Sequence, residues 1–307
     1  MRVMEISGAN RFDTFTRTRA GSRAVIVREG QILLSHETVS GWWLVPGGGM
    51  EDGETPEACC VREVQEETGL IVRPVERFLT LYEYYEEYRY ISHYFICEVT
   101  GEGRMDLTDE EKRRGAVPEW LPLQEAVELF SKHQSYAAVS EEQRGSYLRE
   151  YTALTAYLDH RRLSSSVIRP VEAGDRAFWF GLDRHLSEDG FARKVRDKMG
   201  YVLTADGEPV AVMRWSLFWD SIPFCDLLYV RDGDRKKGFG RKLMAHWERE
   251  MGRAGYGLVM TSTQADEEAQ HFYRSLGYKD CGGLILPFPG YEQPLELIMA
   301  KTTGEGT

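Results

Sequence analysis

No stretch of this 307-residue chain approaches the ~18 consecutive apolar residues that a membrane-spanning helix needs. Its opening residues, Met-Arg-Val-Met-Glu-Ile-Ser, contain no apolar core of a secretory leader. Cysteine is scarce: five residues, at 59, 60, 97, 225 and 281, form neither an even disulfide set nor a metal-ligand spacing, which suits a reducing compartment. No long internal repeat or low-complexity tract is present. Positive charge is also short, with 38 Lys+Arg against 49 Asp+Glu and a net charge of -11. The deficit is uneven, since residues 1–163 hold 28 acids against 19 bases and the remainder 21 against 19. That balance argues against non-specific nucleic-acid binding. The expectation is a soluble, cytoplasmic protein with no nucleic-acid or membrane partner, long enough for about two domains.

Against these absences, the run from Gly48 to Leu70 is conspicuous. Glu63, Glu66 and Glu67 stand at i, i+3 and i+4, so a helix puts all three carboxylates on one face. Like charges at this spacing destabilise a helix by roughly 0.2–0.5 kcal/mol per pair, unless a cation neutralises them. A hard divalent ion takes such oxygen ligands and also binds phosphate. Thr55 suits the N-cap, Pro56 the first helical position and Gly69 the C-terminal stop, while Ala58, Val61 and Val64 fall on the opposite face. A solvated acidic face is the plainer reading of such a run.

The order Gly48, five residues, Glu54, seven residues, Arg62-Glu63-Val64, one residue, Glu66-Glu67, one residue, Gly69-Leu70 resembles the complete box of the Nudix family. Around it the pattern is strand-like at Arg23–Val27, Gln31–His36, Trp42–Val45, Val75–Tyr85, Tyr88–Val99 and Glu119–Leu121. Helical patterns cover Leu123–Phe130 and about Ser140 to Leu158. The resemblance extends over roughly Gly21 to Leu158. A polar, patternless run at Arg161–Ser166 reads as a linker.

Beyond it, helical patterns cover Glu172–Leu186 and Ser187–Lys198, and Asp206-Gly207 turns a hairpin between Tyr201–Thr204 and Pro209–Leu217. A strand at Phe224–Val230 hands over to a helix through Arg235-Lys236-Lys237-Gly238-Phe239-Gly240-Arg241. Several N–H groups and the positive end of a helix then face one anion, although an ordinary basic turn has the same composition. Arg235-x-x-Gly238-x-Gly240 resembles the acetyl-CoA motif of the GNAT N-acetyltransferases. Ala269-x-x-Phe272-Tyr273-x-x-x-Gly277-Tyr278 resembles that family's second motif, with Asp266 standing where many members have Asn. Ala269, Phe272, Tyr273 and Leu276 also form a helical core stripe, as do Leu243, Met244, Trp247 and Met251.

Together the resemblances imply an α/β (α+β) chain: a Nudix α/β/α sandwich over residues 1–163, then a GNAT mixed-sheet α/β domain over 164–307. The first implies hydrolysis of a nucleoside diphosphate linked to another group. Glu63, Glu66, Glu67 and the Gly48 carbonyl would hold Mg²⁺ or Mn²⁺, with Arg62 paired to Glu54 across the loop or as a plain surface pair. Ile32–Pro46 lacks the extra motif of coenzyme A hydrolases. Glu86 stands where ADP-ribose members have a Pro, about sixteen residues past the box. Tyr84, Tyr85 and Tyr88 point toward dinucleoside polyphosphates or simply pack a sheet. The second resemblance implies acetyl transfer from acetyl-CoA to an amine. Backbone groups at Leu228, Tyr229 and Val230 would hold the acetyl carbonyl, Arg235 to Arg241 the pyrophosphate, and Tyr273 would protonate the leaving thiolate. Asp226 is a candidate base for the amine. Two other readings stay open: a GNAT half that binds acetyl-CoA without catalysis, and a nucleotide sensor without turnover.

Overall fold

Side chains along the strands alternate between two cores, and this alternation sets the layers of each half. The computed structural model describes residues 1–290 and 292–304, and the chain divides into two compact units, Met1–His160 and Arg161–Thr307.

The first unit begins with strands β1 (Arg2–Ser7), β2 (Arg17–Val25), β3 (Val27–Arg28), β4 (Gln31–Glu37), β5 (Trp42–Leu44) and β6 (Gly47–Gly49). Helix α1 (Pro56–Thr68) leads into the long hairpin β7 (Leu70–Tyr85) and β8 (Tyr88–Glu102). Then come α2 (Asp109–Arg114), β9 (Ala116–Pro122), α3 (Leu123–Ser131) and α4 (Glu141–Ser165). One sheet runs β1-β7-β8-β2-β6, with β1 parallel to β7 and β2 parallel to β8. In the other, β9 pairs along one edge of β4, while β3 and β5 share the opposite edge. Ala24, Ile26, Leu33 and Phe95 pack with α1, whereas Val25, Ile32, Leu34 and Tyr94 pack with α3 and α4. The result is an α/β/α sandwich.

The second unit comprises β10 (Val167–Pro170), α5 (Arg176–Leu182), α6 (Glu188–Arg196), β11 (Gly200–Ala205), β12 (Glu208–Phe218) and β13 (Ile222–Val230). After these come α7 (Phe239–Arg253), β14 (Leu258–Gln264), α8 (Ala269–Ser275), β15 (Lys279–Leu284) and β16 (Glu296–Thr302). Its seven strands run β10-β11-β12-β13-β14-β16-β15, and β13 with β14 is a parallel pair. Val202 and Val212 face α5 and α6; Leu203 and Met213 face α7 and α8. Leu243, Met244, Trp247 and Met251 are buried here, as their stripe required. Among the described residues, no helix is long and apolar enough to cross a membrane.

Several elements differ from the sequence expectation. The helical pattern at Glu172–Leu186 shortens to a 3₁₀ turn and α5, and β1, α2, β10 and β15 were not foreseen. The patternless run Arg161–Ser166 is no linker up to Ser165; it is the end of α4. From Arg161 the helix belongs to the second unit, and its polar groups have partners within that unit. Arg162 Nε donates to Asp206 Oδ2 at 2.8 Å and Nη1 to Asp234, and Lys242 Nζ donates to the carbonyls of Leu163 and Ser166 at 2.8 Å each. Asp234 is only 2% exposed, so removing Arg162 leaves a buried carboxylate with Arg231 alone. A fragment beginning at Ser164 is therefore expected to melt several degrees below one beginning at Arg161. Equal melting temperatures would show that these contacts contribute nothing to the fold.

Candidate active sites

Helix α1 is capped as its sequence dictates. Thr55 accepts from the Ala58 amide at 3.2 Å, Pro56 opens the helix, and Gly69 closes it at φ 73°. Its inner face is rotated from the expected one. Cys59, Cys60 and Val64 are buried, whereas Ala58 is exposed and Val61 half-buried. Cysteine packs as a small hydrophobe, and the Cys60 and Cys97 sulfurs lie 3.6 Å apart in this core. The rotation puts Glu63 and Glu67 at the margin of the buried face, with Arg62 and Glu66 further out.

Arg62 directs all five of its N–H donors at oxygen. Nε and Nη2 grip Glu54 at 2.9 Å each, Nη1 reaches Glu63 at 2.8 Å and Glu66 at 3.0 Å, and Nη2 also reaches the Gly49 carbonyl at 3.0 Å. Hydrogen bonding from Arg62 lowers the Glu54 carboxyl to about 2. A single guanidinium thus fastens the glycine loop to the helix, beyond the Glu54 pairing read from the sequence. Glu63 lies against Gly48, so closely that a Cβ there would come within 2.3 Å of Glu63 Oε2. Glu67 is in no ion pair among the described residues and accepts only the Gly47 amide, at 3.2 Å; burial pushes its carboxyl up to about 8. A groove of about 660 Å³ runs along Glu54, Glu57, Arg62 and Glu66.

Among the described residues no three acidic, His or Cys side chains converge as a ready-made metal set, because Glu63 and Glu66 are turned to Arg62. The donors nonetheless suit a hard cation: three carboxylates and a carbonyl at one helix turn, with Glu67 in no ion pair among the described residues. Sequence reasoning passed over Arg23, which donates to the carbonyls of Val45 at 3.3 Å and Gly47 at 2.9 Å and acts electrostatically on Glu63 and Glu67. Its only sequence signal is a charge at the head of the apolar run Ala24–Val27.

In the second unit, β13 and β14 pair only at Phe224–Met260 and Cys225–Thr261, although both strands run on. Past Cys225 they part, freeing the β14-facing backbone groups of β13 toward Leu228, Tyr229 and Val230. Thr261 donates to the Cys225 carbonyl at 3.1 Å and also reaches the Tyr273 hydroxyl, so that phenol sits where the strands separate. Tyr273 is 6% exposed and packs against Phe272 and Tyr278, and burial raises its pKa, keeping the proton in place at neutral pH.

The loop into α7 holds the other expected residues, with some redirected. Gly238 has φ 94°, and a Cβ would meet Leu163 Cδ2 at 2.7 Å. Gly238→Ala is expected to destabilise the fold by about 1–2 kcal/mol, from the left-handed strain. Chemical denaturation checks this, and an unchanged midpoint would contradict it. At Gly240 a Cβ would point inward, toward Phe272, Val230 and Leu228 at 3.5–3.7 Å, so a valine there wedges the cleft between β13 and α8 and does not block the outer backbone. The Phe239 side chain is core, only 1% exposed, leaving its amide to a ligand. Arg235 lies over the Tyr229 ring and donates to Val230 O, whereas Arg241 turns to Ser275. Lys236 and Lys237 follow in the loop, Lys236 exposed with φ 62°. Asp226 is poorly placed as a base: Ser216 donates to it at 2.6 Å, with Lys194 at 3.2 Å and Arg214 at 3.5 Å.

Comparison with known proteins finds a domain family in each unit. Residues 17–143 match the NUDIX domain family and residues 196–280 the GNAT acetyltransferase domain family. Among curated proteins, the mouse diphosphoinositol polyphosphate phosphohydrolase 3-alpha is 31% identical over 108 residues, covering 35% of this chain and 64% of that protein. The human 3-beta protein is 30% identical over the same length and shares. The chain thus spans less than two thirds of the curated relatives it matches. Among solved structures, Ard1 from Thermoplasma volcanium is 17% identical at a TM-score of 0.42, covering 46% of this chain and 99% of that one. The chain joins a Nudix domain to a GNAT acetyltransferase domain.

Proposed function

We propose that the protein is bifunctional: its first unit hydrolyses a nucleoside diphosphate linked to another group, and its second transfers acetyl from acetyl-CoA to an amine. The five-oxygen grip of Arg62 on the complete box carries the hydrolase reading. A bound Mg²⁺ or Mn²⁺ would supply charge screening of the pyrophosphate and an activated water. Glu63, Glu66, Glu67 and the Gly48 carbonyl are the residues to hold it. Arg62 keeps Glu54 and the loop in register with them, and Arg23 offsets the charge gathered around Glu67.

The parting of β13 and β14 beside Tyr273 supports the transferase reading. The freed backbone groups near Leu228–Val230 polarise the acetyl carbonyl, and the phenol of Tyr273 donates a proton to the departing thiolate. The amides of Gly238 to Gly240 and the start of α7 donate to the pyrophosphate oxygens. Release of free thiol from acetyl-CoA across a panel of amines tests this half. Binding of acetyl-CoA with no amine acetylated would favour a non-catalytic binder.

A second reading of the first unit comes from its relatives, whose names make them diphosphoinositol polyphosphate phosphohydrolases. Assay of both substrate classes under Mg²⁺ separates the two.

A further inference from the structure

The first unit contains a cavity of about 420 Å³ whose lining includes no residue of the box. Glu83 of β7 forms part of its lining; the residue is only 3% exposed and accepts from the Ser92 hydroxyl at 2.8 Å. Tyr90 supplies an aromatic wall. Tyr88 stacks on one of its faces, with centroids 5.5 Å apart and planes 17° apart, and Tyr85 meets it edge-on at 6.5 Å. Arg149 also lines the cavity but is paired with Glu150 at 2.8 Å, and the nearby Arg144 is paired with Glu141, itself in the lining. Glu86 and Glu142 add further carboxylates to the lining. A polyphosphorylated ring is repelled by such a lining, whereas a flat ligand with N–H donors is suited to it.

Arg23 of β2 stands between Tyr94 of β8, the strand that also carries Tyr90, and Gly47 of β6, at the glycine loop of the box. Arg23 acts electrostatically on Glu63 and Glu67 and likewise on Glu83. Strand register agrees, since Gly21 and Arg23 of β2 lie beside Ser92 and Tyr94 of β8. Burial, helped by the neighbouring Glu150, holds the Glu83 carboxyl above the usual carboxylate range, against the opposing pull of Arg149, Ser92 and Arg23.

We propose that this cavity receives the base of a guanine nucleotide, Glu83 accepting its adjacent ring and amino N–H groups and Tyr90 stacking on its plane. A carboxylate has about four lone-pair sites, so the Ser92 bond leaves room for both donors. Adenine and cytosine place a ring acceptor beside the amine, and uracil places its one N–H between two carbonyls. Each sets an acceptor against the carboxylate; only guanine does not. For the cleavage of that nucleotide the inference rests on the hydrolase reading, but its binding does not.

The test is calorimetry on the full chain in EDTA with GMP, AMP and inositol hexakisphosphate. GMP should bind at least about tenfold tighter than AMP, the scale of one well-made bidentate contact, and the inositol phosphate weakest. Glu83→Gln, which presents one donor and one acceptor, should reverse the preference toward AMP. Tyr90→Leu should weaken GMP about tenfold without reversing the order, and it keeps the test available if the buried Gln variant fails to fold. AMP or inositol hexakisphosphate binding tighter than GMP, or indifference of GMP to Tyr90→Leu, would overturn the proposal. The expected binding pattern in a chain that cleaves no GDP-linked compound supports the cavity assignment and removes the hydrolase reading. Cleavage indifferent to the base does the opposite.

Discussion

Tyr273→Phe is expected to lower the rate of acetyl transfer by about 10²-fold or more, the usual yield of a positioned general acid, while acetyl-CoA binding stays close to that of the unmodified protein. The substitution keeps the ring that packs against Phe272 and Tyr278 and removes only the hydroxyl beside Thr261. The residue has two competing roles, core packing and proton donation, and this change separates them. If stability falls and the rate does not, Tyr273 is packing alone. If both fall, Thr261→Val helps to divide the effects. It removes the hydroxyl that reaches the phenol and the Cys225 carbonyl but leaves Tyr273 in place. A proton donor then loses its orientation, and transfer slows with the tyrosine intact.

Glu67→Gln is expected to cut hydrolysis at least about tenfold, the scale of losing a metal ligand or its support. It should do so without lowering the melting temperature. Glu67 is held by one backbone amide, lies near the like charge of Glu63 and sits where burial disfavours its ionised form. The neutral amide removes that penalty. Arg62→Lys should behave differently. An ammonium cannot serve five oxygens spread over Glu54, Glu63, Glu66 and Gly49, so activity and stability should fall together. Kinetics with melting curves on both variants check the contrast. Loss of stability in Glu67→Gln would mean that the attraction of Arg23 and the Gly47 amide for the carboxylate outweighs the cost of its burial.

The box was legible because its residues share one helix, where spacing alone fixes which side chains meet. The same holds for the loop into α7 and for the stripe on α8. What escaped the sequence depends on distant pairing. Strand β1 pairs in parallel with β7 far along the chain, and its half-buried, half-exposed residues give no strong local pattern. Asp234 reads as part of a solvated Asp-Gly-Asp turn, yet Arg162, 72 residues earlier, makes it a buried anchor. The inner face of α1 was misjudged because Cys59 and Cys60 were not counted as core. Asp226 looked available because Lys194 and Arg214 lie on other elements. Arg23, Glu83 and Thr261 carry no motif, and only strand register brings them to the sites.

The measurement closest to the central claim is product release from a panel of nucleoside diphosphate compounds by the full chain, followed by mass spectrometry, with Mg²⁺ and then with excess EDTA. The account predicts a phosphate-containing nucleotide product with Mg²⁺, its loss in EDTA, its return on adding Mg²⁺ or Mn²⁺, and its near absence in Glu67→Gln. Undiminished turnover in EDTA, or equal turnover by Glu67→Gln, would contradict it.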